Sequence, residues 1–208
     1  MNKFLLGLLA TVLAATLAGC GDTGTKKEDS TPADTSSETS AVKDENKADK
    51  KEDENVEESE LGKMTIVYKN KELNENAESG PMKLNVSAVQ LANLEVAEDY
   101  KGMFDEKDKV TVITVQMKAE NTIDETMSFY PDQATLTTDT GDQIDASLVL
   151  SDSVGGDFFG KVNKEGNAIF LVDTPAEEIG EISLNIDGSH DESFMNHGDK
   201  IKMTIPTK

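Results

Sequence analysis

Val110 to Ala119 reads VTVITVQMKA, and no other stretch limits the fold as strongly. It is long and β-branched, and Ile113, Val115 and Met117 alternate with polar residues, which is the signature of a strand with one buried face. Such a strand must lay its apolar face on a second layer. Shorter segments of the same kind run from Lys63 to the C-terminus. They are Met64 to Tyr68, Leu84 to Leu91, Met127 to Tyr130, Ala134 to Thr138, Ile144 to Leu150, Asn167 to Val172, Glu181 to Ile186 and Lys200 to Ile205. Within Leu84 to Leu91 the apolar phase slips by one residue: Leu84, Val86 and Ala88 are followed by Val89 and Leu91. A β-bulge produces such a slip. Leu91 to Ala97 could instead be a helical turn. Turn chemistry falls between the segments: Asn121 to Asp124, a Pro131 corner, the Asp139-Thr-Gly-Asp142 hairpin, and a glycine loop at Gly155, Gly156 and Gly160. No stretch makes a convincing amphipathic helix. The expected architecture is all-β, a two-sheet antiparallel sandwich of about eight strands over residues 63–208.

Three segments in order carry a resemblance: Val112 to Asn121, then Phe129-Tyr130-Pro131, then Leu136 to Gly141. They resemble the immunoglobulin-like extracellular domain common on lipoproteins of Gram-positive bacteria. Gly166 to Val172 and Ile182 to Ile186 extend the likeness, which covers roughly residues 82–187. The resemblance implies an immunoglobulin-like sandwich and an unknown function. It brings no catalytic residues. Strands 64–68 and 200–205 lie outside it, so their place in the same sandwich stays open.

The N-terminus has a different logic. Lys3 precedes an apolar run from Phe4 to Leu17, and small residues lead to Leu17-Ala18-Gly19-Cys20. This is the layout of a secretory signal, and Leu-Ala-Gly-Cys resembles the bacterial lipobox. The resemblance implies that residues 1–19 are a signal peptide. It also implies that Cys20 receives diacylglycerol, anchoring the chain to the membrane with the domain on the extracellular face. An uncleaved membrane helix is the competing reading. Residues 20–62, rich in Asp, Glu, Lys, Ser and Thr, hold too little apolar surface to offset ordering entropy and are expected to be a disordered tether. A tether of that length would span about 35 Å on average.

Charge and residue supply narrow the chemistry. The net charge is −21, arginine and tryptophan are absent, and there is one cysteine. Such an acidic surface repels phosphate, so no nucleic-acid partner is expected. The lone cysteine excludes an internal disulfide framework. Ser189, His190 and Asp191 have hydrolase residue types, but consecutive side chains cannot line up through one imidazole. His190 and His197 lack zinc-site spacing. Asp139, Asp142 and Asp145 are hard oxygen donors and form a weak calcium candidate, although the spacing is not that of an EF-hand. Phe158 and Phe159 are binding candidates, with plugs of the sandwich end as their structural alternative. Of Phe129 and Tyr130, one should face the core and the other solvent. No cofactor and no catalytic activity are expected. The leading expectation is a tethered interaction module for an envelope protein or wall polymer, and the alternative is a small-ligand carrier or envelope chaperone with a pocket between the sheets. Replacing Cys20 by Ala should abolish fatty-acid labelling of the chain in its host; unchanged labelling would remove the anchor assignment.

Overall fold

The computed structural model describes residues 55–208; the expected signal peptide, Cys20 and residues 20–54 of the expected tether lie outside them. Twelve strands and two short 3-10 helices are the regular elements of the described residues. A six-stranded antiparallel sheet contains β1 (Val56–Ser59), β2 (Gly62–Asn70), β3 (Glu75–Ser79), β4 (Met82–Val96), β5 (Lys109–Asn121) and β10 (Asn163–Val172). Its order is β1-β2-β4-β5-β10, with β3 sharing the β2 edge of the long β4. The opposing sheet has the order β12-β11-β7-β8, built from β7 (Thr135–Thr138), β8 (Gln143–Asp145), β11 (Glu181–Ile186) and β12 (Ile201–Pro206). A two-stranded ribbon, β6 (Met127–Phe129) with β9 (Gly156–Phe158), completes the framework.

The core lies between the sheets. Met82, Leu84, Val89, Leu91, Ile113, Val115 and Met117 meet Leu136, Ile182, Leu184, Ile186, Met203 and Ile205 there. Phe129, Phe158 and Phe170 are also fully buried in this layer. The chain is therefore an all-β antiparallel sandwich. The space that the carrier alternative would require between the sheets is occupied by these side chains.

The phase slip in β4 is a bulge. Val86 pairs with Met117 and Ala88 pairs with Gln116, so Ser87 is the extra residue. β5 keeps one inward phase throughout, so β4 must insert a residue to switch its own inward positions from Met82, Leu84 and Val86 to Val89 and Leu91. Beyond the bulge, Leu91 to Ala97 is strand up to Val96, not a helical turn. Leu91 faces the main core, whereas Leu94 and Val96 join Phe104 and Val110 in a second cluster on the other face. A strand buried on both faces loses its alternation, which is why this stretch was ambiguous.

Other expectations need correction. The strand count is twelve, not about eight, among the described residues. The tether was expected to reach residue 62, but Val56–Ser59 pairs antiparallel with Gly62–Thr65. Backbone pairing with β2 across the turn at residues 60–61 makes this segment a strand although its side chains are mostly exposed. Strands 64–68 and 200–205 correspond to β2 and β12, which belong to the two sheets of this sandwich. Ile144 to Leu150 is not one strand: β8 ends at Asp145. The chain then runs along the free edge of β10, where Ser151 Oγ and Asp152 Oδ2 accept the Ile169 and Asn167 N–H groups. Polar side chains thus close an edge that would otherwise be open to pairing. The expected glycine loop contains β9, which pairs with β6.

Phe158 and Phe159 separate. Phe158 is fully buried, with Lys164 Nζ 4.7 Å from its ring centroid, whereas Phe159 is 72% exposed. Adjacent residues on a strand end point to opposite faces. Phe158→Ala should destabilise the fold by about 3–5 kcal/mol, and Phe159→Ser should change it by less than about 0.5 kcal/mol. Denaturant unfolding of the two variants checks this, and equal effects would contradict the placement.

Candidate binding site

The outer face of the β12-β11-β7-β8 sheet is polar because every strand in it alternates. Leu136, Leu184, Ile182 and Met203 turn inward. Their neighbours form rows across the face: Asp145, Thr135, Asn185 and Lys202 are successive partners, as are Gln143, Thr137, Ser183 and Thr204. Cross-strand bonds hold these side chains. Thr135 Oγ1 donates to Asp145 Oδ1 (2.7 Å), the Ser183 and Thr204 hydroxyls are 2.8 Å apart, and Asn185 Nδ2 donates to the Thr135 carbonyl (3.2 Å).

A solvent-open groove of about 540 Å³ crosses one end of this face. Thr135, Asn185 and Lys202 line it from the sheet, and Tyr130, Gln133, Asp187, His190 and Lys200 line it from the surrounding loops. Tyr130 precedes the 3-10 helix Pro131–Gln133 at the corner after β6. Phe129 is buried and Tyr130 partly exposed, as strand alternation requires. The Tyr130 and His190 rings lie 6.2 Å apart at 28°, and His190 continues to Phe194 at 5.3 Å. Behind the corner, Asp132 Oδ2 accepts the Val154 N–H. Gly155 packs so closely there that a Cβ would overlap the Asp132 carboxylate.

Residues 187–200 carry the His190 wall, and their base is locked. Ser189 is fully buried. Its N–H donates to Ser79 Oγ (2.8 Å), and its hydroxyl donates to the Ser79 carbonyl (2.6 Å). Ser79 Oγ in turn donates to the Asp199 carbonyl (2.9 Å). Gly198 permits this approach, since a Cβ on it would collide with the Ser79–Gly80 backbone. His190 also exchanges backbone bonds with Ser128 of β6. At the tip, Asp191 Oδ1 accepts the Ser193 and Met195 N–H groups, and Asp191 Oδ2 lies 2.9 Å from His197 Nε2. These bonds hold Phe194 at φ +60°, a conformation disfavoured for a bulky residue. The His197 ring, then the Met195 N–H, keep the Asp191 carboxyl below its ordinary pKa of 3.8.

The sequence candidates divide accordingly. Ser189 is a structural clamp, and Ser189, His190 and Asp191 do not form a relay: the Ser189 hydroxyl bonds Ser79, and His190 Nδ1 faces the Asp191 carbonyl at 2.9 Å. Asp139, Asp142 and Asp145 do not converge. Asp139 accepts the Gly180 N–H, Asp142 accepts the Thr138, Thr140 and Thr174 hydroxyls, and Asp145 accepts Thr135. The Gly180 bond lowers the Asp139 pKa. Burial raises that of Asp142, but its three hydroxyl donors outweigh burial and leave it low. Each carboxylate of the proposed calcium set therefore serves a separate turn or strand. Among the described residues, no group of three or more His, Cys, Asp or Glu side chains is placed to hold a metal. Phe159 does not line the groove. The residues that do were missed, apart from Tyr130 and His190. The alternation of β11 and β12 was a usable signal, since it sets Asn185 and Lys202 on the outer face.

Fold and groove together define an all-β sandwich with a polar, surface-open groove on one outer face. Residues 37–154, more than half of the chain, match a domain of unknown function, DUF5068, and the chain belongs to that family. It is 38% identical over 101 residues to an SPbeta prophage-derived uncharacterized lipoprotein, YonS, of Bacillus subtilis strain 168, a match covering 47% of this chain and 50% of that protein. The chain thus spans about half the length of that curated relative. A crystal structure of a functionally unknown protein from Listeria monocytogenes shares the fold, with TM-score 0.54, 16% identity, and coverage of 71% of this chain and 89% of that one. The yjhA protein of Bacillus subtilis is more distant, with TM-score 0.47, 14% identity, and coverage of 66% and 99%.

The Asp191 carboxylate gives the loop a predictable acid limit. A carboxyl with a depressed folded pKa stabilises the fold fully above its ordinary value, and the contribution is lost as pH falls through the folded value. Amide protection factors at residues 191–197 should therefore fall below pH 3.8, and Asp191→Ala should lower them already at neutral pH. Unchanged protection in the variant would rule out Asp191 as the tip's organiser.

Proposed function

We propose that this chain is a lipid-anchored envelope protein, tethered through Cys20 on the extracellular face of the membrane, whose sandwich is a non-catalytic binding module. The groove across the outer sheet is its contact surface, and residues between Cys20 and β1 set its distance from the membrane. The observation that carries this reading is the locked groove wall. The Ser79–Ser189 bonds are buried, span more than a hundred residues of sequence, and fix a loop whose other side lines an open polar trough. Holding a loop in place before contact reduces the ordering entropy lost on binding. The lipobox and a relative named as a lipoprotein support the anchor.

A photo-crosslinking residue at position 133, on the groove rim, should capture a component of the intact envelope. The same residue at position 165, on the edge strand β10 of the other sheet, should capture markedly less. Equal capture, or none at 133, would remove the groove from the proposal.

A further inference from the structure

We infer that the groove binds a hydroxyl-rich anionic polymer, laid across the strands over Thr135, Asn185 and Lys202; this deepens, and rests on, the binding-module reading. Four observations lead there. First, the lining is wrong for a protein partner, whose contact core is apolar and aromatic with few lysines. The groove's aliphatic residues, Ile186 and Ile201, are themselves buried and offer no anchor pocket. Second, the groove is an open trough. Small molecules bind where most of their surface can be enclosed, whereas a polymer segment needs only a track.

Third, the track has a regular polar step. Thr135, Asn185 and Lys202 lie on adjacent strands in one register row, so a chain crossing them meets a polar side chain about every 4.8 Å. Asn185 uses one N–H on the Thr135 carbonyl, and its Oδ1 has no partner among the described residues. Hydroxyl, amide and ammonium groups side by side both donate to and accept from ligand hydroxyls. Tyr130, partly exposed and backed by His190, supplies ring surface beside the row, beyond the strand ends, suited to the C–H faces of a sugar or polyol.

Fourth, the local charge opposes that of the whole chain. In a protein of net charge −21, two lysines and a single aspartate line the groove. Lys202 has no carboxylate partner among the described residues. Lys200 pairs with Asp187 at 2.7 Å, but both are more than four-fifths exposed, and so exposed a pair opens at little cost. Lysine is a point charge suited to phosphate or carboxylate alike.

The test uses the full chain and three oligomers of matched length in calorimetry. These are a glycerol phosphodiester oligomer, an oligogalacturonate and a neutral β-glucan. Either anionic oligomer or both should bind, the stronger one identifying phosphate or carboxylate as the charge recognised, and the neutral one should bind at least about tenfold more weakly. Lys202→Glu and Asn185→Ala, both on the solvent face, should each weaken binding about tenfold with unchanged circular dichroism. Failure of both anionic oligomers to bind, neutral binding of equal strength, or indifference to both substitutions would overturn the assignment. If a protein were then crosslinked from position 133, the binding-module reading would stand and the ligand class would fall; no crosslink to anything would remove both.

Discussion

The ladder between β4 and β5 is the constraint on which the other elements depend. Thirteen residue pairs run from Met82–Asn121 to Glu95–Lys109, interrupted only at Ser87. β2 and β3 attach to the far edge of β4, and β10 attaches to the far edge of β5. The bulge lets β4 present apolar side chains to the same core on both sides of it. Without the inserted residue, either Met82, Leu84 and Val86 or Val89 and Leu91 would face away from the opposing sheet. Past the bulge the ladder is covered on both faces, by the main core and by the cluster around Phe104.

The second sheet divides its work by face. Its inner side chains close the core, and its outer side chains form a polar surface with little left to bury. That surface becomes a groove only because two separate segments rise beside it. One is the Tyr130 corner, fixed by burial of Phe129 and by the Asp132–Val154 bond. The other is the 187–200 segment, fixed by Ser79 and Ser189. Core stability and the chemistry of the outer face are thereby separated. Exposed residues of the trough can vary without touching the core, whereas the serine clamp and Gly198 cannot, because they shape the wall through buried contacts.

The electrostatics agree with this division. Carboxylates outnumber cationic side chains 41 to 20, and several, such as Asp139, Asp142 and Asp191, hold turns by accepting N–H or hydroxyl donors. Their depressed pKa values follow from those donors and carry no sign of catalytic tuning. The lysines at the groove are an exception in sign, and the polar track beside them gives that exception a chemical direction.

The all-β class was legible from period-2 alternation. The Ser87 bulge could be read from one phase slip, and the turn at Gly141 from its composition. The Cys20 anchor is an expectation read from local pattern alone, since a lipobox is a linear signal, and Cys20 lies outside the described residues. Local pattern failed where burial or backbone pairing came from another segment. Leu91 to Val96 lost its alternation because a second cluster covers its other face, Val56–Ser59 became strand through its partner β2, and the Ile144–Leu150 run split because Ser151 and Asp152 cap the edge of β10. Ser189, whose neighbours suggested chemistry, is a clamp because the fold brings Ser79 to it from 110 residues away. The groove belongs wholly to this second kind of information. Alternation in β11 and β12 put Asn185 and Lys202 on an outer face, but only tertiary structure set them in one row and raised Tyr130 and His190 beside it, because register and loop packing join residues that no local sequence pattern connects.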